Sequence, residues 1–302
     1  MFYLHGELEC LRTLLLVTAK KHGVARGESQ LRDYYLDFVS AIGGPEMRPA
    51  TASERITYDE TRIARLMAKH TDNQAPTDLV VGAIETPLAA RHEAMARVEA
   101  AIERIGAVNP ALRRVFDLVI HTLFFHRSRN SGGGSVSSAP GAIWCSPRRQ
   151  WSLTDTAEFL VHEFTHNMLF LDERRFEHYV DPQVLQQPGN FAVSAVLKIP
   201  RPLDRAFHSL VVASEVLSFR GENGEPETPQ VHPSTWELAH ACQGTIDGIR
   251  AVISQKALVT PRFMDILEQV DAKNRSHLAA LSGSFAARPV SSQAATSLGG
   301  MH

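Results

Sequence analysis

Cysteine is scarce in this chain of 302 residues, with only Cys10, Cys145 and Cys242. The number is odd, the spacings are long and no Cys-x-x-Cys occurs. Neither a disulfide framework nor a cysteine-based zinc site is therefore expected. A surplus of charge is missing too: 31 basic residues are matched by 33 acidic ones, for a net charge of −2. A nucleic-acid binder carries a basic excess, so no nucleic-acid partner is expected. No apolar run approaches the roughly 18 residues of a membrane span, so no membrane partner is expected either. The first residues lack the basic start and long apolar stretch of a secretory signal. Together these absences make a reducing, cytoplasmic setting the expectation.

What is present suffices for a core. Hydrophobic residues make up 44% and charged residues 21%, which is ordinary for a globular chain and excludes wholesale disorder. Helical spacing of apolar residues predicts helices over 8–21, 31–42, 90–105, 112–126, 155–173, 204–220, 236–253 and 261–281. The stretch 90–105, rich in Ala, Glu and Arg, reads as a surface helix. The stretch 112–126 reads as a mostly buried one. Residues 141–146 (GAIWCS), bounded by Pro140 and Pro147, read as a strand. Asp155, with Glu158 three residues on, reads as an N-terminal cap. The run 127–140, RSRNSGGGSVSSAP, lacks the Gly-Lys-Ser/Thr ending of a phosphate-binding loop. It reads as a flexible connection, with a substrate-contacting loop as the rival reading. Residues 221–233 read as a polar loop. The expected fold class is α+β, predominantly α-helical with a small sheet. It divides into an N-terminal helical region 1–110, a catalytic core 111–283 and a disordered tail 284–302.

The chemistry concentrates at His162-Glu163-Phe164-Thr165-His166, an HExxH motif. Chance produces this pattern in roughly 4% of shuffled chains of the same composition, so its context must decide. Histidines at i and i+4 share one helical face and can reach one metal ion, with Glu163 between them. Ala157, Leu160, Val161, Phe164, Met168 and Leu171 make the helix apolar over most of its surface, which predicts burial. Buried polar groups need partners, and a metal would supply one. A third ligand is expected from a later helix, and His208 and Glu215 in the 204–220 stretch both qualify. Trp144 and Cys145 on the strand read as packing residues. A strand directly before such a helix is nevertheless a place where a peptide can add as an extra strand, which makes Trp144 a substrate-binding candidate.

The segment 141–220 resembles the HExxH-type, 2-oxoglutarate-dependent peptide β-hydroxylases that tailor ribosomally made peptides. The resemblance lies in GAIWCSP, WSLTDTAEFLVHEFTHNMLFLDE and RPLDRAFHSLVVASEVL, about 80 of the 302 residues. It implies a zincin-like HExxH active-site helix, iron(II), 2-oxoglutarate and dioxygen as reactants, and a precursor peptide as partner. It also favours His208 as the third ligand beside His162 and His166. Arg201, in the RPL motif, and Arg205 then become candidates for the distal carboxylate of 2-oxoglutarate. The rival is a zinc metallopeptidase of the gluzincin type. In that reading Glu215 completes the zinc site and Glu163 is the catalytic general base.

Overall fold

The computed structural model describes residues 1–49, 54–72, 86–129 and 131–286. Their architecture is mostly helical, with a small mixed sheet. In chain order, helices α1 (Phe2–His22) and α2 (Glu28–Gly43) are followed by strand β1 (Ile56–Thr57) and helices α3 (Glu60–Asp72), α4 (Leu88–Val108) and α5 (Pro110–Val119). Strands β2 (Thr122–Phe125), β3 (Gly133–Gly134) and β4 (Ala142–Cys145) then lead into helix α6 (Leu153–Arg175). A short hairpin, β5 (Phe191–Val193) with β6 (Pro200–Pro202), runs straight into α7 (Leu203–Asn223). Helices α8 (Thr235–Ile253) and α9 (Pro261–Ala286) close the chain.

The four-stranded sheet has the order β1-β2-β4-β3. Its first three strands are parallel, and β3 runs antiparallel to β4 at the edge. Strand β4 is thus hydrogen-bonded on both sides and buried along its length. This corrects the expectation that a peptide adds beside Trp144. The ladder positions there are already filled, and on that side the edge of the sheet belongs to β3.

Two further corrections concern single elements. The apolar stretch 112–126 is not one helix: α5 ends at Val119 and β2 begins at Thr122. A continuous apolar run satisfies a buried helix and a buried strand equally well, so its content could not reveal the switch. The stretch 90–105 is no mere surface helix either, because α4 buries Met95, Val98, Ile102 and Ile105 along one face.

Helix α6 is the hub. Ser152 and Asp155 close a capping box at its start, so the cap lies three residues before the expected one. Its apolar sides pack on α1, α4 and α7. Residues of α1, α2, α4, α5 and the sheet share one hydrophobic cluster with α6. A second cluster joins α7, α8 and α9. Helix α9 continues through Ala286, three residues into the stretch expected as tail, and residues 287–302 lie outside the described ones.

Candidate metal centre

Between Val161 and Phe170 only His162, His166 and Phe170 are part-exposed. They fall at four-residue steps, a single stripe of α6 that faces a half-open cavity of about 950 Å³. Helix α7 packs beside α6 and delivers His208 to the same cavity. The three imidazoles stand in file. His162 Nε2 lies 3.2 Å from His166 Nε2, and His166 Nδ1 lies 3.4 Å from His208 Nδ1. The expected third partner is therefore beside the HExxH pair. Among the described residues, however, no three His, Cys, Asp or Glu side chains close round one ion position.

Both ends of the file are anchored. At one end His162 Nδ1 is 2.8 Å from His232 Nε2, and His232 Nδ1 is 3.3 Å from Glu158 Oε2. Both oxygens of Glu158 accept from the Arg220 guanidinium, at 2.6 and 2.9 Å. A carboxylate only accepts, so His232 carries its proton on Nδ1 and leaves Nε2 bare. That bare nitrogen takes the Nδ1 proton of His162, whose own Nε2 is then bare toward His166. At the other end His208 Nε2 donates to Glu173 Oε1 at 2.8 Å, leaving Nδ1 bare.

His166 thus stands between two bare nitrogens with a single proton of its own, so neutral rings leave one of its two contacts without a bridging proton. The file is one proton short of bridging all its contacts. Burial, then His208 and Arg201, lower the pKa of His166 to about 3. Burial, His166 and His232 push His162 in the same direction. Burial also works against charge on His208, but the Glu173 carboxylate outweighs it and raises that pKa. A proton at the His208 end or a divalent ion among the rings would meet the need. Neutral imidazoles suit iron(II) and zinc alike, so the donor set fits a metal.

Glu163 lies 3.9 Å from His162 Nε2 and accepts a hydrogen bond from the Ser135 hydroxyl at 2.7 Å. Burial pushes its carboxyl up to about 7, against the pull of Ser135. Ser135 belongs to the stretch expected as a flexible connection. Instead that stretch supplies β3 and one wall of the cavity. Gly133 and Gly134 permit this. A Cβ on Gly133 would run into the Phe159 ring and meet Trp144 O at 2.5 Å, and one on Gly134 would meet Trp144 Nε1 at 2.7 Å.

Of the remaining candidates, Arg201, on β6, and Arg205, on the first turn of α7, both line the cavity. Arg201 is close enough to His166 to help lower its pKa. Trp144 also lines the cavity, with its Nε1 buried and without a hydrogen-bond partner among the described residues. Glu215 is placed elsewhere. Its two oxygens accept from the backbone N–H groups of Tyr3 and Leu4, at 2.9 and 2.8 Å. It satisfies free donors in the first turn of α1, which removes it as a metal ligand and corrects the gluzincin arrangement.

Three members of the site were missed by the sequence reading. Glu158, read as part of a cap, is the buried partner of Arg220. His232 sits in the stretch 221–233 and reaches its partners across 70 or more positions. Glu173 could have been found, because it lies seven residues after His166, two turns along the same helical face. Compared with known proteins, the chain matches no family model and no curated protein.

Proposed function

We propose that the protein is an iron(II)- and 2-oxoglutarate-dependent oxygenase that hydroxylates side-chain β-carbons of a peptide. The observation that carries this reading is the histidine file 162–166–208 opening on a cavity whose wall also holds Arg201. His162, His166 and His208 would hold the iron, which with 2-oxoglutarate and dioxygen supplies the oxidising power for C–H hydroxylation. Arg201, seconded by Arg205, binds the distal carboxylate of the keto acid through a guanidinium fork. Trp144 Nε1–H is a spare donor for a carbonyl on the bound peptide or keto acid. Glu163, held by Ser135, can accept or donate a hydrogen bond at neutral pH and orients the group bound beside His162.

A second reading draws on Glu163 itself. A buried carboxyl with its pKa near neutrality, beside a metal-binding histidine, suits a general base for peptide hydrolysis. With Glu215 engaged at α1, that reading takes His208 as its third zinc ligand.

The two readings separate in one set of assays. Under the oxygenase reading, anaerobic protein with iron(II) develops a visible charge-transfer band on titration with 2-oxoglutarate. Adding air and the cognate peptide then yields succinate and a peptide heavier by one oxygen. If 2-oxoglutarate is never consumed while the zinc-loaded protein cleaves peptides, and Glu163→Gln abolishes the cleavage, the hydrolytic reading takes its place.

A further inference from the structure

A second pocket lies at the C-terminal ends of β2 and β4. Arg127 and Arg129 follow β2, Arg148 and Arg149 follow β4, and Arg97 reaches across from α4. All but Arg129 line a half-open cavity of about 440 Å³, in which Glu93 is the single acidic lining residue. Arg97 donates to the carbonyls of Arg148 and Pro147, and Arg148 donates to those of Ser128, Arg129 and Ser131. A carbonyl oxygen orients a guanidinium without cancelling its charge. Arg127 and Arg149 are exposed and make no hydrogen bond or ion pair among the described residues.

We propose that this pocket captures an acidic segment of a peptide. Arg97 and Arg148 form a cationic floor held in place by the backbone, and Arg127 and Arg149 are arms able to close over a bound carboxylate. Guanidinium forks match carboxylates in two-point geometry. The Nε of Arg97 is buried without an acceptor among the described residues, one more donor available to a ligand. The cavity is far larger than one inorganic anion, and its position favours a linear chain. Arg148 holds the carbonyl of Ser131 at 3.1 Å, and Ser131 and Gly133 line the cavity of the histidine file. A peptide anchored by its acidic residues in the pocket would lead over the segment 131–134 toward His162. The choice of a peptide rests on the function proposed above; capture of carboxylates needs no metal.

The test is fluorescence anisotropy with the full chain and no added metal. The probe is a short labelled peptide of alternating Glu and Ser, compared with its Gln/Ser counterpart. The acidic peptide should bind more tightly, and salt should weaken its binding. The double variant Arg127→Gln/Arg149→Gln should bind it roughly tenfold more weakly. Arg12→Gln/Arg26→Gln, at exposed positions outside the pocket's lining, should bind it as the unaltered protein does. Equal affinity for both peptides, or equal losses in both double variants, would overturn the proposal. So would displacement of the peptide by inorganic phosphate at comparable concentration. Because neither iron nor 2-oxoglutarate is present, a failure of the oxygenase reading leaves this result standing, and the reverse also holds.

Discussion

The proton on His232 Nδ1 determines which nitrogen of His162 faces the cavity. Glu158 holds that proton, His232 Nε2 accepts from His162, and the bare Nε2 of His162 turns toward His166. Partners of this kind typically contribute 10- to 100-fold to metal affinity. His232→Leu removes the acceptor and should weaken iron or zinc binding by about that factor, as measured by competition with a chelating dye. His232→Gln keeps an acceptor and should recover most of the affinity. Equal affinity in the Leu and Gln variants would reduce His232 to a packing residue. Glu215 supports a complementary experiment. Glu215→Ala leaves two N–H groups of α1 without their acceptor and should lower stability by about 1–2 kcal/mol in urea unfolding. Metal affinity should stay as it was, whereas a true ligand would lose most of it. The sequence made His162 and His166 legible because i, i+4 spacing is a local pattern, whereas the second buried helix offered His208 and Glu215 alike and only the resemblance favoured His208. The sequence left His232 hidden because the chain contact that matters spans 70 positions.

At the scale of elements, the edge strand β3 carries the most consequence for its size. Two glycines let it lie against Trp144 and Phe159 and bring Ser135 to Glu163. In Gly133→Ala the added methyl would have to displace backbone as well as a ring, because Trp144 O stands at 2.5 Å. Overpacking of this kind should cost about 1–3 kcal/mol. The variant should also lose turnover with peptide while still binding metal, since His162, His166 and His208 lie on α6 and α7. Parallel melting curves and metal titrations check both parts. Glycine-serine composition reads as a loop because its few apolar residues are too sparse to show a period. The strand forms only because β4 offers an edge and the ring of Trp144 needs a bare backbone beside it. The same dependence on context split the stretch 112–126. Strand β2 exists because β1 and β4 flank it, a fact its own apolar residues could not encode.

Across the molecule, several histidines are built into the core as neutral rings, and this gives the fold a direction of pH dependence. His121 is fully buried. Its Nε2 donates to Pro140 O at 3.1 Å, and its Nδ1 accepts from Thr122 at 2.9 Å. Burial, with help from Arg62, Arg32 and Arg55, lowers its pKa to about 3. His70 is lowered to about 4, again chiefly by burial. An unfolded chain holds both near 6.5. Above that pH both states keep the rings neutral, and the stability they allow is whole. As the pH falls below it, the unfolded chain takes up protons that the folded chain refuses, so stability drains away toward the folded pKa values. The slope is about 1.4 kcal/mol per pH unit for each such histidine. His162 and His166 act in the same sense. His208, with its raised pKa, acts in the opposite one, but its change falls above the ordinary value and outside the window. Between about pH 6.5 and pH 5 most carboxylates are ionised in both states and contribute little slope, while Glu163, held at about 7 in the folded chain, opposes the fall and offsets about one histidine. The urea midpoint should therefore fall steadily across that window, and His121→Gln should show a shallower fall. A midpoint that stayed level across the window would overturn this account, because rings held neutral by burial, and in His121 by three arginines as well, must resist the protons that the unfolded chain takes up.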